Sequence, residues 1–177
     1  MSTIEPSFGI TLVLGGARSG KSTFAESLAR CHNQRVYIAT AECVDDEMAH
    51  RIETHRRQRG ADWRTVEAPL ELAEAIRQEG APNVCLLVDC LTVWLGNLMH
   101  YGWEIDAAQD ALLDALTEVS GPIVLVANEV GLGIVPDNAA TRAFRDHAGR
   151  LNQAVARLAE RVYFVAAGLP VLLKGPA

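Results

Sequence analysis

Residues 10–22 read ITLVLGGARSGKS, an apolar run from Ile10 to Leu14 that breaks into glycines and ends on a lysine and a serine. The eight positions Gly15, Gly16, Ala17, Arg18, Ser19, Gly20, Lys21 and Ser22 match GxxxxGK[ST]. They stand between a strand-like run and a helix-forming stretch, Lys21 to Arg30, which is the context this motif needs. Glycines let the backbone turn so that several N–H groups point inward. The helix start adds partial positive charge, and Lys21 brings a cation to the β- and γ-phosphates of a nucleotide. Ser22 completes such a site as a Mg²⁺ ligand. With glycine near 7% of residues, a chance match somewhere in the chain has a probability on the order of 1%. The stretch is therefore read as a phosphate cradle and not as a glycine-rich turn with a solvated lysine. Arg18 either touches a phosphate or points to water, and the sequence leaves both readings open.

Outward from this loop, apolar runs bounded by turn residues alternate with helical stretches, the pattern of a parallel sheet covered by crossover helices. The fold class expected is α/β, a P-loop NTPase with a RecA-like, mostly parallel sheet flanked by helices. Strands are expected at Ile10–Leu14, Arg35–Thr40, Val84–Asp89, Ile123–Ala127 and Val162–Ala166. A last strand, Val171–Lys174, follows Gly168, Leu169 and Pro170 as a terminal hairpin at the sheet edge. The clearest helix is Asn138 to Arg161, where Phe144, Ala148, Leu151, Val155, Leu158 and Val162 recur at steps of three and four. Further helices are expected at Asp45–Arg59, Pro69–Gln78 and Ala107–Val119. No repeat or linker interrupts the 177 residues, so one nucleotide-binding domain is expected, with residues 1–8 as a loose N-terminal extension.

Composition narrows the partners. A net charge of −6 gives no basic field for a nucleic-acid backbone. No apolar run approaches the roughly 20 residues that cross a bilayer, and MSTIEPSFG is not built like a secretory leader. A cytoplasmic location is expected. Cys31, Cys43, Cys85 and Cys90 form no CxxC pair and are read as buried small hydrophobes.

Two further groups bear on the chemistry. Asp89 ends the apolar run Val84–Val88, where a P-loop site carries the carboxylate that holds the metal's water shell; the plainer reading is a strand-end turn cap. Residues 45–59 begin with three acids and end in arginines, which suits both ends of a helix. At about 100° per residue, Met48, Ile52, His55 and Arg59 share one face, so His55 and Arg59 turn toward the protein. A buried arginine beside a histidine needs an anion, and a nucleotide phosphate is one; a packing role for His55 stays open at this point. His32, His100 and His147 have no such context and are read as structural.

Taken together, GGARSGKS (15–22), VYIATAE (36–42), DDEM and RIETHR (45–56), WRTVEAP (63–69), NEVGLGIVP (128–136) and FRDHAGRLNQ (144–153) resemble the bifunctional adenosylcobinamide kinase / adenosylcobinamide-phosphate guanylyltransferase family of cobalamin biosynthesis. The resemblance runs from Ile10 to Lys174. It implies phosphorylation of adenosylcobinamide from ATP or GTP, then transfer of GMP from GTP to that phosphate, giving adenosylcobinamide-GDP and pyrophosphate. It also implies a histidine–GMP intermediate at His55, with Lys21 supporting both reactions. Thr40, Ala41, Glu42, Glu67 and Asp89 are implied nucleotide contacts, as is the stretch Arg56, Arg57, Gln58, Arg59. Ser22 and Asp89 are the implied Mg²⁺ partners, and a homotrimer the implied assembly. The loop from Asn128 to Pro136, with Gly131 and Gly133, is either a ligand contact or an ordinary connection. Two readings compete with the family: a plain small-molecule kinase in which His55 is structural, and a non-catalytic nucleotide-sensing module.

Overall fold

The computed structural model describes residues 9–42 and 62–176. These build a seven-stranded sheet of β1 (Ile10–Gly15), β2 (Gln34–Ala39), β3 (Arg64–Glu67), β4 (Val84–Asp89), β5 (Ile123–Asn128), β6 (Arg161–Ala166) and β7 (Leu169–Lys174), in the order β3-β2-β4-β5-β1-β6-β7. All neighbours pair in parallel except β6 and β7. The described helices are α1 (Lys21–Ala29), α2 (Leu72–Glu79), α3 (Leu91–His100), α4 (Ile105–Glu118) and α5 (Ala139–Leu158).

A parallel sheet wrapped by crossover helices is buried on both faces, so its central strands are apolar at nearly every position. Strand β4 shows this: Leu86 and Val88 pack into one core with Leu72, Ile76, Trp94, Leu112, Leu116, Leu151 and Val155 from α2–α5. Cys85 and Leu87 point the other way, into a smaller core with Ala25 and Ala29 of α1. Helix α5 begins where the Asn138 side chain accepts from the Thr141 amide at 2.8 Å, one of the donors a helix start leaves unpaired.

Most expected strands and helices are present, with boundary shifts. Helix α5 stops at Leu158, which is 38% exposed, and Val162 belongs to β6; the core stripe is Ala148, Leu151, Asn152 and Val155. The hairpin turns on Ala167 and Gly168, with φ of 52° and 78°, so Leu169 and Pro170 belong to β7 and not to the turn. A two-residue turn with both φ positive matches the twist of its strands. Two elements were not expected. β3 is four residues long and half exposed, and α3 is apolar almost all round, with Leu91, Trp94, Leu95 and Leu98 buried. The expected 45–59 helix and the 1–8 extension lie outside the described residues.

Of the cysteines, Cys85 and Cys90 are buried as expected, but Cys31 is exposed at the C-terminal end of α1; Cys43 lies outside the described residues. Burial pushes the Cys85 thiol up to about 12 and the Cys90 thiol up to about 11, the neighbouring Asp89 charge adding to the second. Since alkylation needs the thiolate, iodoacetamide at about pH 8 should leave Cys85 and Cys90 unmodified in the native protein and label both after denaturation. Peptide mass mapping reads the result, and native labelling of either would contradict this packing.

Candidate active site

The parallel strands bring their carboxyl ends to one edge, where α/β sheets bind ligands. Gly15 lies level with Asn128 on one side and Val165 on the other, while Ala39 lies level with both Asp89 and Glu67. The cradle, the end of β5, Asp89 and Glu67 therefore line a single rim. Glu67 is exposed there, two strand spacings or about 10 Å along the rim from Asp89.

Local sterics explain the glycines of the cradle. A Cβ on Gly15 would stand 2.5 Å from Ser19 Oγ and 2.6 Å from the Val165 carbonyl, and neither distance is tolerable. Gly20 has φ of 91°, a left-handed conformation that glycine adopts without strain, and lies 3.0 Å from the Gly168 Cα by the same construction. Gly16 meets nothing within 4 Å, which leaves its side open to a ligand. Two neighbours brace the loop: the Glu129 amide donates to Gly15 O at 3.1 Å and the Gly168 amide to Ser19 O at 2.8 Å.

Helix α1 starts at Gly20 with no capping side chain and no acid in its first turn. Its first N–H groups thus lack a side-chain acceptor, the arrangement an anion completes. Lys21 is only 9% exposed, and its ammonium donates to Gly16 O at 3.2 Å. A nearly buried cation held by a lone carbonyl is matched by a phosphate far better than by that carbonyl. Its charge also reaches Cys90, where it opposes burial by favouring the thiolate. Ser19 Oγ is buried without a hydrogen-bond partner, whereas Ala17 and Arg18 are exposed, Arg18 with φ of 56°.

Across the rim, Asp89 Oδ2 accepts from the Tyr37 hydroxyl at 3.1 Å, which fixes one carboxylate oxygen. Thr40, an implied nucleotide contact, is fully buried. Its Oγ1 donates to Cys90 O at 2.9 Å and accepts from Cys90 N at 2.8 Å, tying the end of β2 to the turn after β4. Asn97 Nδ2 reaches both Thr40 O at 2.8 Å and Pro69 O at 3.0 Å, so α3 holds two rim loops at once. Ala41 and Glu42 are half-buried, and Glu42 accepts from the Tyr101 hydroxyl at 3.1 Å, a bond that holds the phenol above its usual range. Thr92 Oγ1 accepts from the Asn128 amide at 2.7 Å. His55, Arg56, Arg57, Gln58 and Arg59 lie outside the described residues.

Tyr37, Thr92 and Asn97 were not anticipated as supports. The available signal was a polar side chain inside an apolar run, such as Thr92 and Asn97 in LTVWLGNL (91–98). As for metal, no cluster of three or more His, Cys, Asp or Glu occurs among the described residues. Mg²⁺ does not need one, since it keeps several waters and takes one or two protein ligands beside phosphates, a set that Ser22 and Asp89 fit.

The sheet order and the cradle define a P-loop fold with a RecA-like, mostly parallel sheet. At the level of fold, the chain is similar to a protein of Pyrococcus horikoshii OT3 (TM-score 0.58, 9% identity, 96% of this chain and 87% of that one). It is likewise similar to an ATPase from the type III secretion system of pathogenic bacteria (TM-score 0.53, 12% identity, 93% and 56%). The family model described as cobinamide kinase / cobinamide phosphate guanyltransferase matches residues 11–173, and the chain belongs to that family. It is 52% identical over 167 residues to the bifunctional adenosylcobalamin biosynthesis protein CobP of Pseudomonas aeruginosa, covering 93% of this chain and 96% of that one. It is 44% identical over 178 residues to the corresponding CobU protein of Escherichia coli, covering 92% and 98%. Family membership makes the chain a transferase with kinase and guanylyltransferase activity on adenosylcobinamide.

The β2–β4 tie gives a direct test. Thr40→Val keeps the side-chain shape but leaves the buried Cys90 N–H without its acceptor, while the Cys90 carbonyl keeps the Trp94 amide at 3.1 Å, and this should cost about 1–3 kcal/mol of stability. Urea unfolding should show this as a lowered midpoint with an unchanged slope, and Thr40→Ser should recover most of the loss.

Proposed function

We propose that both reactions use the triphosphate held by the cradle from Gly15 to Ser22. The observation that carries the proposal is the nearly buried Lys21 beside an uncapped helix start, with Asp89 on the same rim. In the kinase reaction the acceptor hydroxyl oxygen attacks the γ-phosphorus of ATP or GTP. The bond from that phosphorus to the leaving nucleoside diphosphate breaks, and the hydroxyl proton passes to solvent. In the second reaction a neutral His55 ring nitrogen attacks the α-phosphorus of GTP and displaces pyrophosphate. An oxygen of the adenosylcobinamide phosphate then attacks the same phosphorus and releases the imidazole, giving adenosylcobinamide-GDP. Lys21 and the loop amides stabilise the charge that gathers on the leaving phosphates, which is the larger part of catalysis in such transfers. Ser22 and Asp89 would hold Mg²⁺, which would supply further charge neutralisation there.

Glu42, Glu67 and the stretch Arg56–Arg59 are proposed as nucleotide contacts. An acidic group among them would select guanine, because a carboxylate accepts from the N1–H and 2-amino edge that adenine lacks. Thr40 is proposed to position the rim, its hydroxyl being fully engaged. We also propose one domain over residues 1–177 and a cytoplasmic homotrimer. In support, the edge strand β7 is exposed along its whole length and carries Leu169, Val171, Leu172 and Leu173, the kind of edge that another chain covers. No helix among the described residues is long and apolar enough to cross a membrane.

Incubation with Mg²⁺ and GTP labelled at the α-phosphate, then acid and base challenge and peptide mapping, tests the covalent step. An acid-labile, base-stable GMP adduct on the His55 peptide is expected; no adduct under conditions of demonstrated GTP binding would leave a plain kinase. Lys21→Ala should lower both activities by on the order of a hundredfold or more. His55→Ala should abolish guanylyl transfer and spare phosphorylation, and equal loss of both would refute separate roles.

A further inference from the structure

The connection between β5 and α5, residues 129–138, exposes four apolar side chains within six residues. Val130 is 36% exposed, Leu132 82%, Ile134 97% and Val135 60%. Single apolar residues at a surface are ordinary, but four clustered on one loop mark a contact with something apolar. The loop is also anchored at both ends. At its start the Glu129 amide donates to Gly15 O at 3.1 Å, and the Glu129 carboxylate accepts from the Gly131 amide. At its end Arg142 Nη1 donates to Pro136 O at 3.0 Å and to Asp137 O at 2.7 Å. Anchored ends with an outward apolar tip describe a surface formed in advance, which lowers the ordering cost of binding.

What covers this tip follows from its place. The loop leaves the sheet one hydrogen bond from Gly15, the first residue of the phosphate cradle. The loop thus starts at the cradle, and its tip is only three to five residues further along the chain. The acceptor carries its reactive hydroxyl on a short flexible arm of a broad corrin ring, whose two faces bear methyl groups and whose rim bears amides. To bring the hydroxyl to the cradle, the ring must rest close by on an apolar surface. Among the described residues the other exposed apolar groups are Tyr101 and Trp103, the first held by Glu42, and β7, the edge proposed above as the face a second copy of the chain covers.

We propose that the 129–136 loop is the platform for the corrin ring of the acceptor, with Leu132 and Ile134 contacting its methylated face. The assignment rests on the cobinamide-directed activity proposed above. It makes these two side chains determinants of acceptor affinity with no part in nucleotide binding.

Equilibrium dialysis of cobinamide against wild-type protein, Leu132→Ser, Ile134→Ser and the double variant, with a non-hydrolysable triphosphate present, tests it. Nucleotide affinity and the mass from light scattering are measured on the same samples. Because both side chains project outward, the substitutions remove no core packing. Losing one apolar contact of this size should raise the cobinamide Kd roughly tenfold, and losing both on the order of a hundredfold, with nucleotide affinity and mass unchanged. A double variant within twofold of wild type would overturn the platform. So would a fall in mass, which would make a second copy of the chain the occupant, or an equal loss of nucleotide affinity, which would make the loop a brace for the cradle. If wild type phosphorylates cobinamide while the variants keep its KM, the platform fails and the activity stands. If wild type neither binds nor phosphorylates cobinamide, both fail.

Discussion

Helix α1 begins without a capping side chain, and the chemistry at the sheet rim depends on that omission. A helix start exposes N–H donors that most proteins satisfy with Ser, Thr, Asp or Asn. Here Gly20 occupies the cap in a left-handed conformation, and the donors are left for a ligand. The same choice keeps acid out of the first turn and sets Lys21 at its start, nearly buried. Cation and amides converge on one volume, which is complete only when an anion fills it.

The opposite part of the rim is held by a different device. β2 and β4 are joined beyond their last paired residues by the two Thr40–Cys90 hydrogen bonds, and Tyr37 fixes one oxygen of Asp89. Asn97 on α3 then ties the same strand end to the loop after β3. These contacts bring no reacting group, but they prevent the rim from drifting relative to the cradle. A misplacement of about 1 Å is enough to cost much of the rate of an oriented transfer.

The cradle and the buried strands were legible in the sequence because each is governed by local constraints. Glycine spacing, the strand before it and the helix after it all lie within twenty residues. α3 was not legible, since a helix apolar on nearly every side has no period to detect. β3 was missed because four residues, half exposed, carry neither alternation nor an apolar run. The pairing of Tyr37 with Asp89 spans 52 positions, and that of Thr40 with Cys90 spans 50. Such partners become visible only when the strand order places β2 beside β4. The resemblance implied Thr40 as a nucleotide contact, and the full burial of its side chain could not be foreseen from a strand-end position.

Gly20 and Gly168 are 148 positions apart in the sequence and touch backbone to backbone. The hairpin turn is therefore part of the wall of the nucleotide site, although it lies close to the C-terminal end of the chain. One residue inserted into that turn would shift the pairing register, turn every β7 side chain to the other face and carry the Gly168 amide away from Ser19. For anyone grafting a loop or a binding peptide onto this scaffold, the hairpin is closed ground.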